Sequence, residues 1–213
     1  MEFLPIAIQQ YAEQHSEEEP AILKQLARET HLKVLQPRML SGHFQGRFLS
    51  FISKIVQPTY ILEIGTYTGY SAICLAEGLS KNGQLITIDV NEERVELVNR
   101  YIDLSGNKDN IIPYLGKALE IIPLLDFTFD LVFIDADKLN YFNYFELVID
   151  KVRSGGIIII DNVLWSGKVT ETAKKNDGET LLLQQLNMQL KNDDRIEVIL
   201  LPIRDGLSLV RKK

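Results

Sequence analysis

From Tyr60 onward the chain alternates short apolar runs with longer amphipathic stretches. The apolar runs are Tyr60–Ile64, Gln84–Asp89, Ile111–Leu115, Leu131–Ile134 and Gly156–Ile160, and four of the five are nearly continuous in Ile, Leu, Val or Phe. Continuity rather than alternation is what a strand covered on both faces requires. Between them Ser71–Gly78, Glu92–Leu104, Ala118–Leu125 and Tyr141–Val152 carry apolar residues at helical spacing. Strands alternating with helices predict right-handed crossovers and a parallel sheet. The end of the chain breaks this rhythm, because Arg195–Leu201 and Gly206–Arg211 are joined only by Pro202-Ile203-Arg204-Asp205. So short a link predicts an antiparallel hairpin. The sum is an α/β, doubly wound, Rossmann-like sheet of about seven strands, mostly parallel, closed by a C-terminal antiparallel hairpin and preceded by helices, with ligands at the carboxyl ends of the strands. We read residues 1–213 as one domain, with 1–55 a helical N-terminal extension and 56–213 the α/β core.

Composition narrows the class. With 213 residues, 46% hydrophobic and 24% charged, the chain has the proportions of one soluble globular domain, which excludes disordered and small disulfide-stapled classes. Cys74 is the single cysteine, so neither an intramolecular disulfide nor CxxC chemistry is available, in keeping with a reducing cytoplasm. The first basic residue is Lys24 and the apolar stretch Phe3 to Ile8 is short, so neither a secretory signal nor a membrane span is expected. The net charge of −6 argues against a surface that wraps nucleic acid as a whole.

Candidate chemistry gathers at the strand ends. The first strand runs into Leu62-Glu63-Ile64-Gly65-Thr66-Tyr67-Thr68-Gly69, a glycine turn into a helix with GxxxG spacing. A dinucleotide fingerprint would be GxGxxG, shaped to bring a pyrophosphate to a helix N-terminus. The second strand ends in Asp89, where an acid accepts hydrogen bonds from ribose hydroxyls, and Glu63 can hold the turn and an ammonium group. After the third strand, Gly116 and Ala118 leave room for an adenine ring. Taken singly, GxxxG is an ordinary strand-to-helix turn and Glu120 an ordinary first-turn acid. Together, a glycine turn, one ribose acid and no phosphate cradle point to S-adenosylmethionine.

The fourth strand ends in Phe133-Ile134-Asp135-Ala136-Asp137-Lys138 and the fifth in Ile160-Asp161-Asn162. In a parallel sheet these ends are neighbours, so Asp135, Asp161 and Asn162 can converge as three oxygen ligands for a hard divalent cation, Mg²⁺ first, with Mn²⁺ or Ca²⁺ as alternatives. The plainer alternatives are a helix cap for Asp137 and a turn for Asp161-Asn162. Lys138 is either a solvated lysine or, beside a dication that disfavours its ammonium form, a general base. Methyl transfer needs an electron-rich oxygen, and a neutral phenol of pKa about 10 is a poor nucleophile. A cation bridging two adjacent oxygens supplies both activation and orientation, which predicts O-methylation of a vicinal diol such as a catechol.

These motifs, with Ile86-Thr87-Ile88-Asp89, Asp135 to Tyr141, Asp161-Asn162-Val163-Leu164-Trp165 and Asp205-Gly206-Leu207, resemble the cation-dependent O-methyltransferase family that includes catechol and caffeoyl-CoA O-methyltransferases and small bacterial enzymes. The resemblance implies cofactor contacts from Ser41, Glu63, Gly65, Tyr67, Ser71, Asp89, Gly116, Ala118 and Asp135. It makes Asp135, Asp161 and Asn162 the metal ligands and Lys138 the catalytic base, with Asp135 also part of the catalytic centre. Lys138, Asn162 and Trp165 would face the substrate. The family's mammalian catechol enzyme has a longer Glu where this chain has Asp89, and residues 166–192 match no motif. Phe142 and Tyr144 are further aromatic candidates, and the three histidines share no metal-ligand spacing.

Between Glu29 and Glu63 the chain has no acid, while Lys33, Arg38, Arg47 and Lys54 fall there. Some bacterial relatives methylate a 5-hydroxyuridine at the tRNA wobble position, so tRNA is the alternative partner to a small catechol-type molecule. The resemblance also implies a homodimer, paired through the N-terminal helices and a sheet edge.

Overall fold

The computed structural model describes residues 5–174 and 176–213. Seven strands form one sheet: β1 (Tyr60–Ile64), β2 (Gln84–Asp89), β3 (Ile111–Leu115), β4 (Phe129–Ile134), β5 (Val152–Asp161), β6 (Ile196–Leu201) and β7 (Leu207–Lys212). Their order is β3-β2-β1-β4-β5-β7-β6. The first five are parallel, whereas β7 runs antiparallel to both β5 and β6. The anticipated mostly parallel sheet of seven strands and its closing hairpin are therefore present.

The apolar runs are buried on both faces because successive side chains feed opposite layers. Leu62, Ile64, Ile86, Ile88, Val132 and Ile134 face one layer; Ile61, Leu85, Leu131 and Phe133 face the other. The first layer is covered by α6 (Ala118–Ile121), α7 (Tyr141–Ile149) and α8 (Gly178–Asn192). The second is covered by α2 (Ala21–Lys33), α3 (Gly42–Val56), α4 (Tyr70–Ala76) and α5 (Val95–Leu104). The first helix, α1 (Ile6–Gln14), precedes them, and a 3₁₀ turn at Pro37–Met39 joins α2 to α3. Helix α3 approaches α4 closely at Gly46, where a Cβ would lie 2.7 Å from the Tyr70 ring and 2.9 Å from Cys74 Sγ.

Two strands begin earlier than the apolar runs suggest. Asp130 interrupts the apolar run of β4, yet its carboxylate accepts the backbone N–H groups of Thr59 (2.8 Å) and Tyr60 (2.9 Å) and the Nε of Arg153 (2.6 Å). It thereby fixes the amino ends of β1, β4 and β5, far from the carboxyl ends where the ligand cleft opens. Residues 166–192, which match no motif, contain α8, started by the Asp177 side chain accepting the N–H of Thr180 at 3.2 Å.

Candidate active site

The strand order reverses between β1 and β4, and there the carboxyl ends open into a cleft of about 1040 Å³. That volume suits a nucleoside cofactor and a small acceptor together. The turn leaving β1 shapes its floor. Gly65 has φ +103, and a Cβ there would stand 1.9 Å from the backbone oxygen of Asp135. Around it, Gly65 N–H donates to Ile88 O and Asp135 N–H to Ile64 O, both at 2.9 Å. Three strand ends are thus joined by backbone alone.

Asp89 braces that turn from β2. Its Oδ2 accepts Tyr67 N–H at 2.8 Å and its Oδ1 accepts Asn91 N–H at 2.9 Å. Because a carboxylate oxygen has more than one lone-pair site, both oxygens can still accept from a ligand. Arg94 lies 3.8 Å from Asp89 Oδ2 and 4.8 Å from the centre of the Tyr67 ring. The Tyr67 hydroxyl donates to Gln36 O at 3.2 Å, tying the core to the N-terminal wall.

Glu63 lies behind the turn, pointing into the α4 layer, and is wholly buried. Its Oε2 accepts the Thr87 hydroxyl at 2.5 Å, and Oε1 has no hydrogen-bond partner among the described residues. Burial pushes its carboxyl up from the usual 4.5 to about 8, against the pull of the Ser71 and Thr87 hydroxyls and with further push from Asp135 and Asp89. Ser71 sits in the first turn of α4, also buried. Ser41 is buried just before α3, where its backbone oxygen accepts from Arg204. Glu63, Ser71 and Ser41 therefore stand behind the cleft wall, whereas Gly65, Tyr67, Asp89, Gly116 and Ala118 line it.

Across the cleft, Asp135, Lys138, Asp161, Asn162 and Trp165 meet from β4, β5 and the loops after them. Lys138 Nζ lies 2.8 Å from Asn162 Oδ1 and 3.4 Å from Asp135 Oδ1, and donates to the Tyr141 hydroxyl and, at 3.2 Å, to Ala136 O. Asp161 is buried, with Oδ1 accepting Asn162 N–H at 2.6 Å and Oδ2 accepting Gln45 Nε2 at 2.5 Å. Burial first, and then the neighbouring Asp135, raise its carboxyl above the ordinary range; Gln45, Lys138 and Arg204 oppose this. The donor set fits a hard divalent cation. It is all oxygen, it already gathers an ammonium, and its two carboxylates strain against each other in a way that added positive charge relieves. No group of three or more His, Cys, Asp or Glu with metal-site geometry occurs among the described residues; the third donor here is an amide.

Trp165 has φ 48, and its indole N–H is buried without a partner among the described residues. Tyr144 lines the cleft and donates to Asp137 Oδ1 at 2.5 Å, while Phe142 instead borders a separate surface hollow with Met188. Asp137 holds Tyr144 and Asn140 by its side chain and caps no backbone N–H. Of the cations in the acid-free stretch, Lys33 pairs with Glu29 (2.8 Å), while Arg47 (2.7 Å) and Lys54 (2.8 Å) pair with Glu77; Arg38 lines the cleft.

Gln45, Tyr141 and Arg204 reach the site without having been singled out from sequence. Tyr141 ends the stretch from Asp135 and could have been found there. Gln45 is a polar residue on the buried stripe of α3, a weak signal. Arg204 sits in the hairpin link and gave none.

A profile of the O-methyltransferase family matches residues 13–213. A caffeoyl-CoA O-methyltransferase of Petroselinum crispum is 36% identical over 208 residues, covering 91% of this chain and 85% of the plant one. One from Arabidopsis thaliana is also 36% identical, covering 91% and 79%. Among solved structures, an O-methyltransferase from Bacillus cereus in complex with SAH superposes with a TM-score of 0.89 at 29% identity, covering 97% of each chain. The SAH-bound Podospora anserina methyltransferase PaMTH1 gives 0.89 at 27%, covering 99% of this chain and 98% of that one. A doubly wound sheet with a nucleoside-sized cleft at its reversal point defines the class of fold as Rossmann-like. The chain belongs to the O-methyltransferase family, among its S-adenosylmethionine-dependent members of caffeoyl-CoA O-methyltransferase type. Among the described residues no helix is long and apolar enough to cross a membrane.

Proposed function

We propose that the protein methylates one of two adjacent hydroxyls on a catechol-type or phenylpropanoid small molecule, with a divalent cation held by Asp135, Asp161 and Asn162. The observation that carries this reading is the convergence of Asp135 and Asn162 oxygens on the Lys138 nitrogen, with the buried Asp161 carboxylate bonded to the Asn162 N–H beside them. Bound S-adenosylmethionine supplies the electrophilic methyl group, and a bound cation supplies Lewis-acid stabilisation of the acceptor oxygen.

The chain's own residues do the rest. Asp89 accepts from ribose hydroxyls on lone pairs left by the Tyr67 and Asn91 amides, while Gly65 and Tyr67 shape the turn beneath the methionine portion. Ser71, Glu63 and Ser41 support that turn and wall from behind. Gly116 and Ala118 leave space beside the base, and Asp135 joins the cofactor side to the acceptor side. Lys138, as the free amine, takes the proton of the attacking hydroxyl and becomes the ammonium. Tyr141 and Asn162 hold its nitrogen against the acceptor position. Trp165 lines the cleft and offers a ring face to an aromatic acceptor.

A panel of catechols and caffeoyl esters, assayed with Mg²⁺ and the methyl donor, is expected to yield monomethylated products by mass. Chelation or Asp161→Ala should abolish them; turnover indifferent to chelation would refute the cation reading. The ion pairs that neutralise Lys33, Arg47 and Lys54 favour a small acceptor over tRNA. Loss of methylated wobble uridine in a deletion strain would reverse that preference. The exposed Phe51 and Ile55 of α3, each 64% accessible, and Ile199 of β6 support a homodimer through the N-terminal helices and the sheet edge, checked by light scattering.

A further inference from the structure

Arg204 lies in the link between β6 and β7 with φ 49, a left-handed backbone that glycine adopts at lower cost. What a long cationic side chain gains there depends on what it reaches. Its Nη1 donates to the carbonyl oxygens of Leu40 (3.1 Å) and Ser41 and to Gln45 Oε1 (3.1 Å). Gln45 is only 1% exposed on α3, and its Nε2 donates to Asp161 Oδ2 at 2.5 Å.

The polarity of this chain of bonds is fixed at both ends. A guanidinium only donates and an ionised carboxylate only accepts, so the amide between them has a single orientation that satisfies both. Asp161 Oδ1 is meanwhile held by Asn162 N–H. Two donors on different oxygens fix the plane of the carboxylate. One of them is delivered by an N-terminal helix and secured from the C-terminal hairpin.

We propose that Gln45 and Arg204 are positioning residues for Asp161. Arg204 clamps the N-terminal wall at Leu40 and Ser41 and aligns Gln45, and Gln45 sets the carboxylate. The acceptor half of the site is then complete only when the N-terminal segment is seated against the hairpin. This rests on the reading of Asp161 as a cation ligand.

The test uses the full chain and its Gln45→Leu, Arg204→Gly, Arg204→Lys and Gln45→Leu/Arg204→Gly variants. Arg204→Gly suits the local backbone, so its fold is expected to hold, as a thermal melt checks. Mn²⁺ binding is measured by calorimetry, and amide exchange at Asn162 by mass spectrometry. Gln45→Leu should weaken Mn²⁺ binding about tenfold, as loss of a partner behind a metal ligand does. It should also speed Asn162 exchange while SAH affinity stays within about twofold. Arg204→Gly should move both readouts in the same direction and Arg204→Lys should restore them. The double variant should be no worse than Gln45→Leu alone, because one relay is broken in either case. Unchanged Mn²⁺ affinity in Gln45→Leu, or independent effects that multiply in the double variant, would overturn the relay. If the unmodified chain binds no Mn²⁺, the cation reading fails by itself and Asn162 exchange still decides: equal exchange in all variants overturns the relay, and faster exchange in Gln45→Leu and Arg204→Gly sustains it.

Discussion

Glu63→Gln separates what a buried acid costs the fold from what it does for the site. In the folded chain its carboxyl is raised from 4.5 to about 8, so the native state holds a proton that the unfolded chain releases. Below pH 4.5 the group is neutral in both states and costs nothing extra. Above it, stability falls with rising pH until the folded carboxyl itself ionises near 8. At about 1.4 kcal/mol per unit of displacement, the penalty reaches about 3 kcal/mol at pH 7 and about 4 kcal/mol at pH 8. Glutamine removes this pH-dependent loss. Its new N–H₂ can fall where Oε1 has no partner, a pH-independent cost of about 1–3 kcal/mol. The two proteins should therefore diverge by about 1.4 kcal/mol for each pH unit between roughly pH 5 and 8, or by roughly 3–5 °C in melting temperature per unit. Raised carboxyls elsewhere, Asp161 included, act in both proteins and cancel in the difference. Urea unfolding of the ligand-free proteins at four pH values reads the slope directly. Parallel stability curves would refute a neutral, buried Glu63.

Three further outcomes follow from the geometry. Gly65→Ala drives a methyl into the Asp135 backbone oxygen at a left-handed φ, and should destabilise the fold by about 3 kcal/mol or more and weaken SAH binding; calorimetry matching the unmodified chain would contradict the close approach. Asp89→Asn keeps the shape but cannot accept both amide N–H groups, so SAH affinity should fall about tenfold while the melting temperature changes little. Lys138→Ala should slow single-turnover methylation by about 10²–10⁴-fold with SAH affinity nearly unchanged, and a full rate in that variant would remove Lys138 from the base role.

The parallel strands were legible because β1, β2 and β3 are short apolar runs ending in punctuation, and their bounds follow from periodicity alone. The early starts of β4 and β5 were not. Asp130 looks like the end of a loop until the amides of Thr59 and Tyr60 are seen on its carboxylate, and Arg153-Ser154-Gly155 resembles a turn although β5 runs through it. The cleft-lining acids were readable because each stands at a strand end, where topology alone brings them together. Gln45 and Arg204 were not, because their contacts join residues 116 and 159 positions apart, and neither local pattern nor composition records such a meeting. Phe142, an aromatic near the motif that could equally serve helix packing, borders a hollow apart from the cleft, a distinction that only the packing of its helix makes.

The seam between Ile64-Gly65 and Asp135 carries a consequence for how such an enzyme changes acceptors. Donor and acceptor sides are brought into register there by main-chain atoms alone, with one absent side chain permitting the contact. The stretch after Trp165, which carries none of these contacts, can then vary without misaligning the two reactants, whereas the N-terminal wall stays tied to Asp161 through Gln45. Acceptor choice and reaction geometry are thus separable traits. Exchanging residues 166–177 between homologues should retune which hydroxyl is presented and leave cofactor binding untouched.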